Sequence, residues 1–169
     1  MSRTLVQVPF LVKPPRSFGI PGRVEDSLVS TYDVLPTTLA MLGLPAAEAA
    51  FGRDLSDLIR AGAPQEARTV VSFAHGDGSD VYSAVRWPWK LDLELDRRTS
   101  ERRASTLYHL ERDPEELSDV AVQHPEMTAA LSQELRAWRE RENRAALGAR
   151  AGSLDPLVRE QLRKLGYVE

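Results

Sequence analysis

The sequence predicts an α+β fold: a strand and a helix first, then a small antiparallel sheet packed on a long C-terminal helix. Three observations carry this. Apolar residues keep helical spacing from Leu35 to Ile59, alternate from Thr69 to Leu110, and return to helical spacing after Pro125. Within the alternating part, Lys90 to Asp96 does so without error, with Leu91, Leu93 and Leu95 on one face and Lys90, Asp92, Glu94 and Asp96 on the other. That is the pattern of a half-buried antiparallel strand with a solvated charged face. The length of 169 residues, 42% of them hydrophobic, suits one domain or one domain with an arm. The expected organisation is a strand and helix over 1–60, a small antiparallel-sheet and helix subdomain over 61–144, and a linker with a short terminal helix over 145–169.

Leu5 to Val12 is a nearly continuous apolar run, suited to a strand covered on both faces. Pro9 lacks a backbone donor, which places such a strand at a sheet edge or a bulge. Lys13-Pro14-Pro15 ends it, and a loop rich in proline, glycine and arginine follows. Ser30 and Asp33 have capping-box spacing, with Asp in place of the usual Glu. Asp33 is therefore read as a cap and not as a base. Pro36 fits a first turn, Leu35, Leu39 and Leu42 form one apolar stripe, and Gly43 with Pro45 stops the helix. Leu55, Leu58 and Ile59 mark a shorter apolar pattern, and 61–68 is a linker. Strands are expected over Thr69 to Phe73, Tyr82 to Arg86, Lys90 to Asp96 and Thr106 to Leu110, with Trp87-Pro88-Trp89 as a hairpin connection and 97–104 as a charged loop. A helix begins at Pro125, with Leu131, Leu135 and Trp138 on its apolar stripe. A gap over 145–152 precedes a short final helix, capped by Asp155 and ended by Gly166.

Composition excludes several classes. With no cysteine there is no disulfide framework, thiolate zinc site, iron–sulfur cluster or cysteine nucleophile. The net charge of -3 spreads over a mixed surface with no basic face, so nucleic acid is not an expected partner. No apolar run reaches the length of a spanning helix, and the start lacks the apolar stretch of a signal peptide. As written, the chain is expected in the cytoplasm, with no membrane partner.

The segments form an ordered series. Val8-Pro9-Phe10-Leu11-Val12-Lys13-Pro14-Pro15 is followed by Gly22-Arg23-Val24, then Ser30-Thr31-Tyr32-Asp33-Val34-Leu35-Pro36-Thr37-Thr38-Leu39, Gly43-Leu44-Pro45 and Gly52-Arg53-Asp54-Leu55. Ala84-Val85-Arg86, Trp89-Lys90-Leu91, Leu107 to Glu116 and the tail Val158 to Val168 continue it. The series resembles the carboxy-terminal part of a sulfatase, arylsulfatase-like, in the alkaline phosphatase superfamily. The resemblance implies that the first strand and helix belong to a large α/β domain and the rest to a smaller terminal subdomain. It implies hydrolysis of sulfate esters by a formylglycine made from cysteine or serine, with calcium binding the sulfate. A parent enzyme of this family could be exported.

The chain does not carry that machinery. No serine or threonine has proline two residues later, so the Cys/Ser-x-Pro-x-Arg motif is absent. The family's metal-binding aspartates are absent as well, and calcium needs six to eight oxygen ligands. Ester hydrolysis needs a placed nucleophile and a charge stabiliser, so no catalytic residue, no metal site and no cofactor is assigned here; calcium is expected only in a complete sulfatase. Ala74-His75-Gly76-Asp77 is similar to an Asp-His-Gly metal motif but has alanine at the aspartate position, and is read as a loop, with a substrate contact at His75 as the alternative. Trp87 and Trp89 suit stacking on a sugar or aryl ring, or packing of a hairpin on a helix. Arg86 and Lys90 suit an anionic substrate, or a solvated strand face. His75, Arg86, Trp87, Trp89 and Lys90 are thus the substrate-rim candidates. His109 and His124 have no partner at ligand spacing.

The expected role is a fragment that completes the sheet and substrate rim of a catalytic portion on another chain, with Thr4 to Val12 adding a strand to it. Without such a partner, that strand and the 35–42 stripe are left uncovered, which predicts exposed apolar surface and self-association. A free-standing α+β interaction module without enzymatic role is the alternative.

Overall fold

The structure, a computed structural model, describes residues 8–45, 51–63 and 65–151. Two compact units divide the chain, Met1–Arg136 and Ala137–Glu169. In the first, three-residue 3-10 turns at Arg16–Phe18 and Thr31–Asp33 precede helix α1 (Val34–Met41) and helix α2 (Ser56–Ala61). Four strands follow: β1 (Val70–His75), β2 (Ser79–Arg86), β3 (Trp89–Asp96) and β4 (Arg102–His109). Helix α3 (Pro125–Ala151) begins in the first unit and continues into the second. The α+β class is the one that the apolar pattern predicts.

The sheet is an antiparallel meander in the order β1-β2-β3-β4. Its register places Val71 opposite Ala84, Ala84 opposite Leu91, Leu91 opposite Leu107, and Tyr82 opposite Leu93. With a side-chain period of two, these residues share one face, and all are buried together with Leu95. Leu131 and Leu135 of α3 are fully buried. Arg86, on the same face by parity, bonds Glu134 at 2.5 Å and Met127 at 3.2 Å. The first half of α3 therefore covers this face, as its apolar stripe predicts. On β4, the outer backbone of Leu107 is satisfied outside the sheet: its N–H donates to Asp119 Oδ1 (3.0 Å), and its carbonyl accepts from Val120 N–H (2.8 Å).

Several expectations are corrected. Val8 to Val12 forms no strand. A strand needs a neighbour to take its alternate donors and acceptors, and none of the four strands of the meander pairs with this segment. Residues 5–7 of that expected strand lie outside the described residues. The exposure expected of the uncovered stripe is seen at Leu35 of α1 and at Leu42 just beyond it, while Pro36 and Thr37 are buried. The face that turns inward is the one carrying Thr37, whose Oγ1 accepts the Leu55 N–H at 3.0 Å. The charged stretch 97–104 is not all loop: β4 begins at Arg102. Charged side chains are tolerated on an edge strand, where they also discourage further pairing. Helix α3 runs through the expected gap to Ala151, because an alanine-rich run tolerates a single Gly148 at a cost of about 1 kcal/mol. The expected final helix from Asp155 lies outside the described residues.

Candidate functional site

Three polar clusters organise the first unit, and the substrate-rim candidates fall among them. The first centres on Asp33, which is fully buried. Ser30 and Asp33 close the capping box: Ser30 Oγ accepts the Tyr32 N–H at 3.3 Å, and Asp33 Oδ2 accepts the Ser30 N–H at 2.8 Å. The carboxylate does more than cap. Its Oδ1 accepts the Arg53 N–H at 2.8 Å and Arg68 Nη1 at 2.9 Å, while Arg68 Nη2 donates to Oδ2. Burial pushes the carboxyl up, but the bonds from Arg68, Arg53 and Ser30 and the guanidinium charge outweigh it and hold the pKa below 3.8. Gly52 lies against this node: a Cβ there would stand 2.0 Å from the Tyr32 carbonyl oxygen. The capping role is the one its spacing predicts. Arg68, read as linker, gave no signal, since nothing local marks a partner 35 residues away.

The second cluster surrounds the β2–β3 hairpin. Lys90 lies on the sheet face away from α3, opposite Tyr108, and is only 1% exposed. Its ammonium meets Glu116 and stands 3.5 Å from Asp92 and 5.7 Å from the Tyr108 ring centroid. The expectation of a solvated face is overturned for Lys90 and Asp92: alternation assigns them to one face, but the Asp113–Glu116 turn covers that face. Glu116 takes a left-handed backbone, φ 58°. Ser83 Oγ and Glu116 Oε1 are buried in this region without a hydrogen-bond partner. On the other face, Arg86 is tied to Glu134, and the Trp89 ring has His109 and His124 each 4.6 Å away, edge to face. Trp87, in the turn, is 60% exposed.

The third cluster lies at the β1–β2 hairpin. His75, the last residue of β1, stands opposite Asp80, and its Nδ1 is 2.8 Å from Asp80 Oδ1. Arg97 Nε donates to the same oxygen at 3.0 Å, and Arg97 Nη2 to the Gly76 carbonyl at 2.8 Å. The hydrogen bond from His75, then that from Arg97 and the attendant charges, outweigh desolvation and hold the Asp80 carboxyl below its ordinary range. The imidazole is 66% exposed. Asp80 carries no local motif, and Arg97 belongs to the stretch that the sequence marks only as a charged loop. Period-two alternation extended back to Ser79 pairs His75 with Asp80 across the turn.

The structure brings Arg86, Trp87, Trp89 and Lys90 to one end of the sheet, but not to one surface: Lys90 is on the face opposite Arg86 and Trp89. His75 stands at the other end of the eight-residue β2, more than about 20 Å from Trp87 at 3.3 Å per residue. Among the described residues no group of three or more His, Asp or Glu could hold a metal ion. The calcium that the resemblance implies therefore finds no fitting ligand set here. Among the same residues no helix is long and apolar enough to cross a membrane.

Comparison with known proteins agrees on one family. No family model matches the chain. It is 30% identical over 146 residues to arylsulfatase K of Mus musculus, which covers 80% of this chain and 25% of that protein. It is 27% identical over 139 residues to arylsulfatase K of Xenopus laevis, covering 76% and 25%. The chain thus spans about a quarter of the length of these curated relatives. Among solved structures, a Bacteroides fragilis protein described as a sulfatase, yidJ, superposes with a TM-score of 0.58 at 19% identity, over 66% of this chain and 24% of that one. Another, solved with its substrate D-glucosamine-2-N,6-O-disulfate, gives 0.51 at 15% identity, over 64% and 23%. The chain is homologous to arylsulfatase K and corresponds to the carboxy-terminal part of a sulfatase.

Proposed function

We propose that this chain is the non-catalytic carboxy-terminal portion of a sulfatase, completing the sheet and the substrate rim of a catalytic portion that carries the nucleophile and the calcium. The observation that carries this is the apolar surface of residues 8–44. Leu11 and Val24 are each 92% exposed, and Val8, Leu35 and Leu42 are more than half exposed. Apolar exposure of this density marks an interaction surface, and it coincides with the segments whose cover the family places in its large domain. The coverage of about a quarter of each relative supports the same reading, as does the absence of a Cys/Ser-x-Pro-x-Arg motif from the sequence.

The proposed substrate class is a sulfated saccharide, by analogy with the solved relative bound to a sulfated glucosamine. Of the rim candidates, His75 and Trp87 are open to a ligand, Arg86 and Trp89 support the hairpin, and Lys90 is interior. The chain is mixed with a polypeptide holding the nucleophile motif and the metal aspartates of a related sulfatase, and aryl sulfate turnover is followed with calcium present. Turnover in the mixture alone, together with a stable complex, is expected. Steady turnover by the pure chain, or failure to associate, would overturn the proposal.

A further inference from the structure

We propose that strand β1 pairs along its outer edge with β1 of a second copy of this chain, antiparallel and about a two-fold axis at Phe73, so that two meanders join into one sheet. The pairing uses neither the surface of residues 8–44 nor a catalytic portion, and it stands apart from the function proposed above.

The meander ends in two outer strands, β1 and β4, and the outward row of N–H and C=O groups on such a strand is a template for further pairing. Strand β4 is guarded in three ways. Arg102 and Arg103 open it with charge, its register against β3 shifts between Glu94 and Leu95, and the Leu107 backbone is engaged by Asp119 and Val120. Strand β1 carries none of these devices in its own sequence. It pairs with β2 in unbroken register over six residues, and Val70 to Ala74 holds neither a charge nor a proline. Its last three residues, Phe73 to His75, are exposed.

The turn fixes which backbone groups face outward. Gly76 N–H donates to the Ser79 carbonyl at 2.8 Å, so this pair bonds across the hairpin. Alternation then points the N–H and C=O of Val71 and His75 away from β2. About an axis at Phe73, Val71 of each copy stands opposite His75 of the other, and the two pairs exchange four backbone hydrogen bonds. Ser72 meets Ala74 of the other copy, and both are small enough for the close approach of a non-bonded pair. No two charged side chains of the strand face each other, so β1 does not repel its twin, whereas two copies of Arg102 and Arg103 would. Self-pairing also uses the unguarded edge of each copy. An isologous contact of this kind closes at two copies and does not grow into a fibre.

Sedimentation equilibrium is run on the full chain carrying Val24→Asp with Leu35→Glu, which silences association through residues 8–44. A reversible dimer is expected. His75→Pro removes an outward N–H and spares the bonds to β2, so it should raise the dissociation constant by about tenfold. The chain has no cysteine, so introduced thiols report the register. Ser72→Cys mixed with Ala74→Cys should crosslink under mild oxidation, because a non-bonded pair brings the Cα atoms to about 4.5 Å. Each variant alone should not, because its own counterpart lies two residues further along the strand. Thermal midpoints close to the parent's show that each variant folds. A monomer at every concentration, a dimer indifferent to His75→Pro, or crosslinking of either variant alone as readily as the mixture would overturn the pairing. Growth beyond two copies would overturn it as well, since β4 would then be open.

Discussion

Asp33 holds together parts of the chain that sequence distance keeps apart: the 3-10 turn it belongs to, the Arg53 backbone and the Arg68 side chain. Asp33→Ala leaves the Arg68 guanidinium, itself only 11% exposed, without its counter-charge, at an expected cost of about 3–5 kcal/mol in urea denaturation. Gly52→Ala is expected to cost about 1–3 kcal/mol or more, because the added carbon meets the Tyr32 backbone, which cannot swing aside. Acid tests the carboxylates together. Asp33 and Asp80 are held below 3.8, and Asp96 at about 2 by the Thr99 N–H, Arg103 and the Arg98 N–H. Each folded value is depressed, so the unfolded chain binds protons more readily. The stability these groups contribute is complete above about pH 4 and is lost as the pH falls through the folded values. The urea midpoint should therefore drop between pH 4 and 2, and drop less in Asp33→Asn; an unchanged midpoint across that window would contradict the assignment. The capping box was legible because Ser30 and Asp33 are three residues apart, whereas Arg68 was not, because its role exists only in three dimensions.

At the scale of elements, the strands followed their alternation closely, since a one-residue slip would turn every leucine of β3 outward. What alternation cannot report is whether the polar face stays wet. Lys90 is interior because the Asp113–Glu116 turn folds over it, a tertiary event with no local periodicity. Lys90→Met should cost about 3–5 kcal/mol by stranding Glu116, and the double variant Lys90→Met with Glu116→Gln should recover part of that loss; an additive cycle would show that the pair is uncoupled. Helix α1 forms where its spacing predicts, with part of its stripe exposed. Thr37 anchors the side opposite its leucine stripe to Leu55, which leaves Leu35 and Leu42 exposed and Leu39 half-buried. Val8 to Val12 is an apolar run legible in the sequence that pairs with no strand of the meander.

For the whole molecule, these uncovered segments predict a chain that binds a hydrophobic dye and self-associates. Val24→Asp with Leu35→Glu should reduce both while leaving the thermal midpoint within a few degrees, because neither side chain contributes to the core. A monomer that ignores the dye would count against an interaction surface there. The site was the least legible part: the rim candidates were found as residue types, but their division between two ends and two faces of the sheet depends on register. That register also has a temporal side. Each strand of the meander pairs with the one made just before it, and such local contacts form quickly. During synthesis the sheet can close once His109 has emerged, while Leu131 and Leu135 have yet to emerge. At ribosomal rates its leucine face stays bare for on the order of seconds, and that interval, more than the finished fold, is when the nascent chain most needs a chaperone.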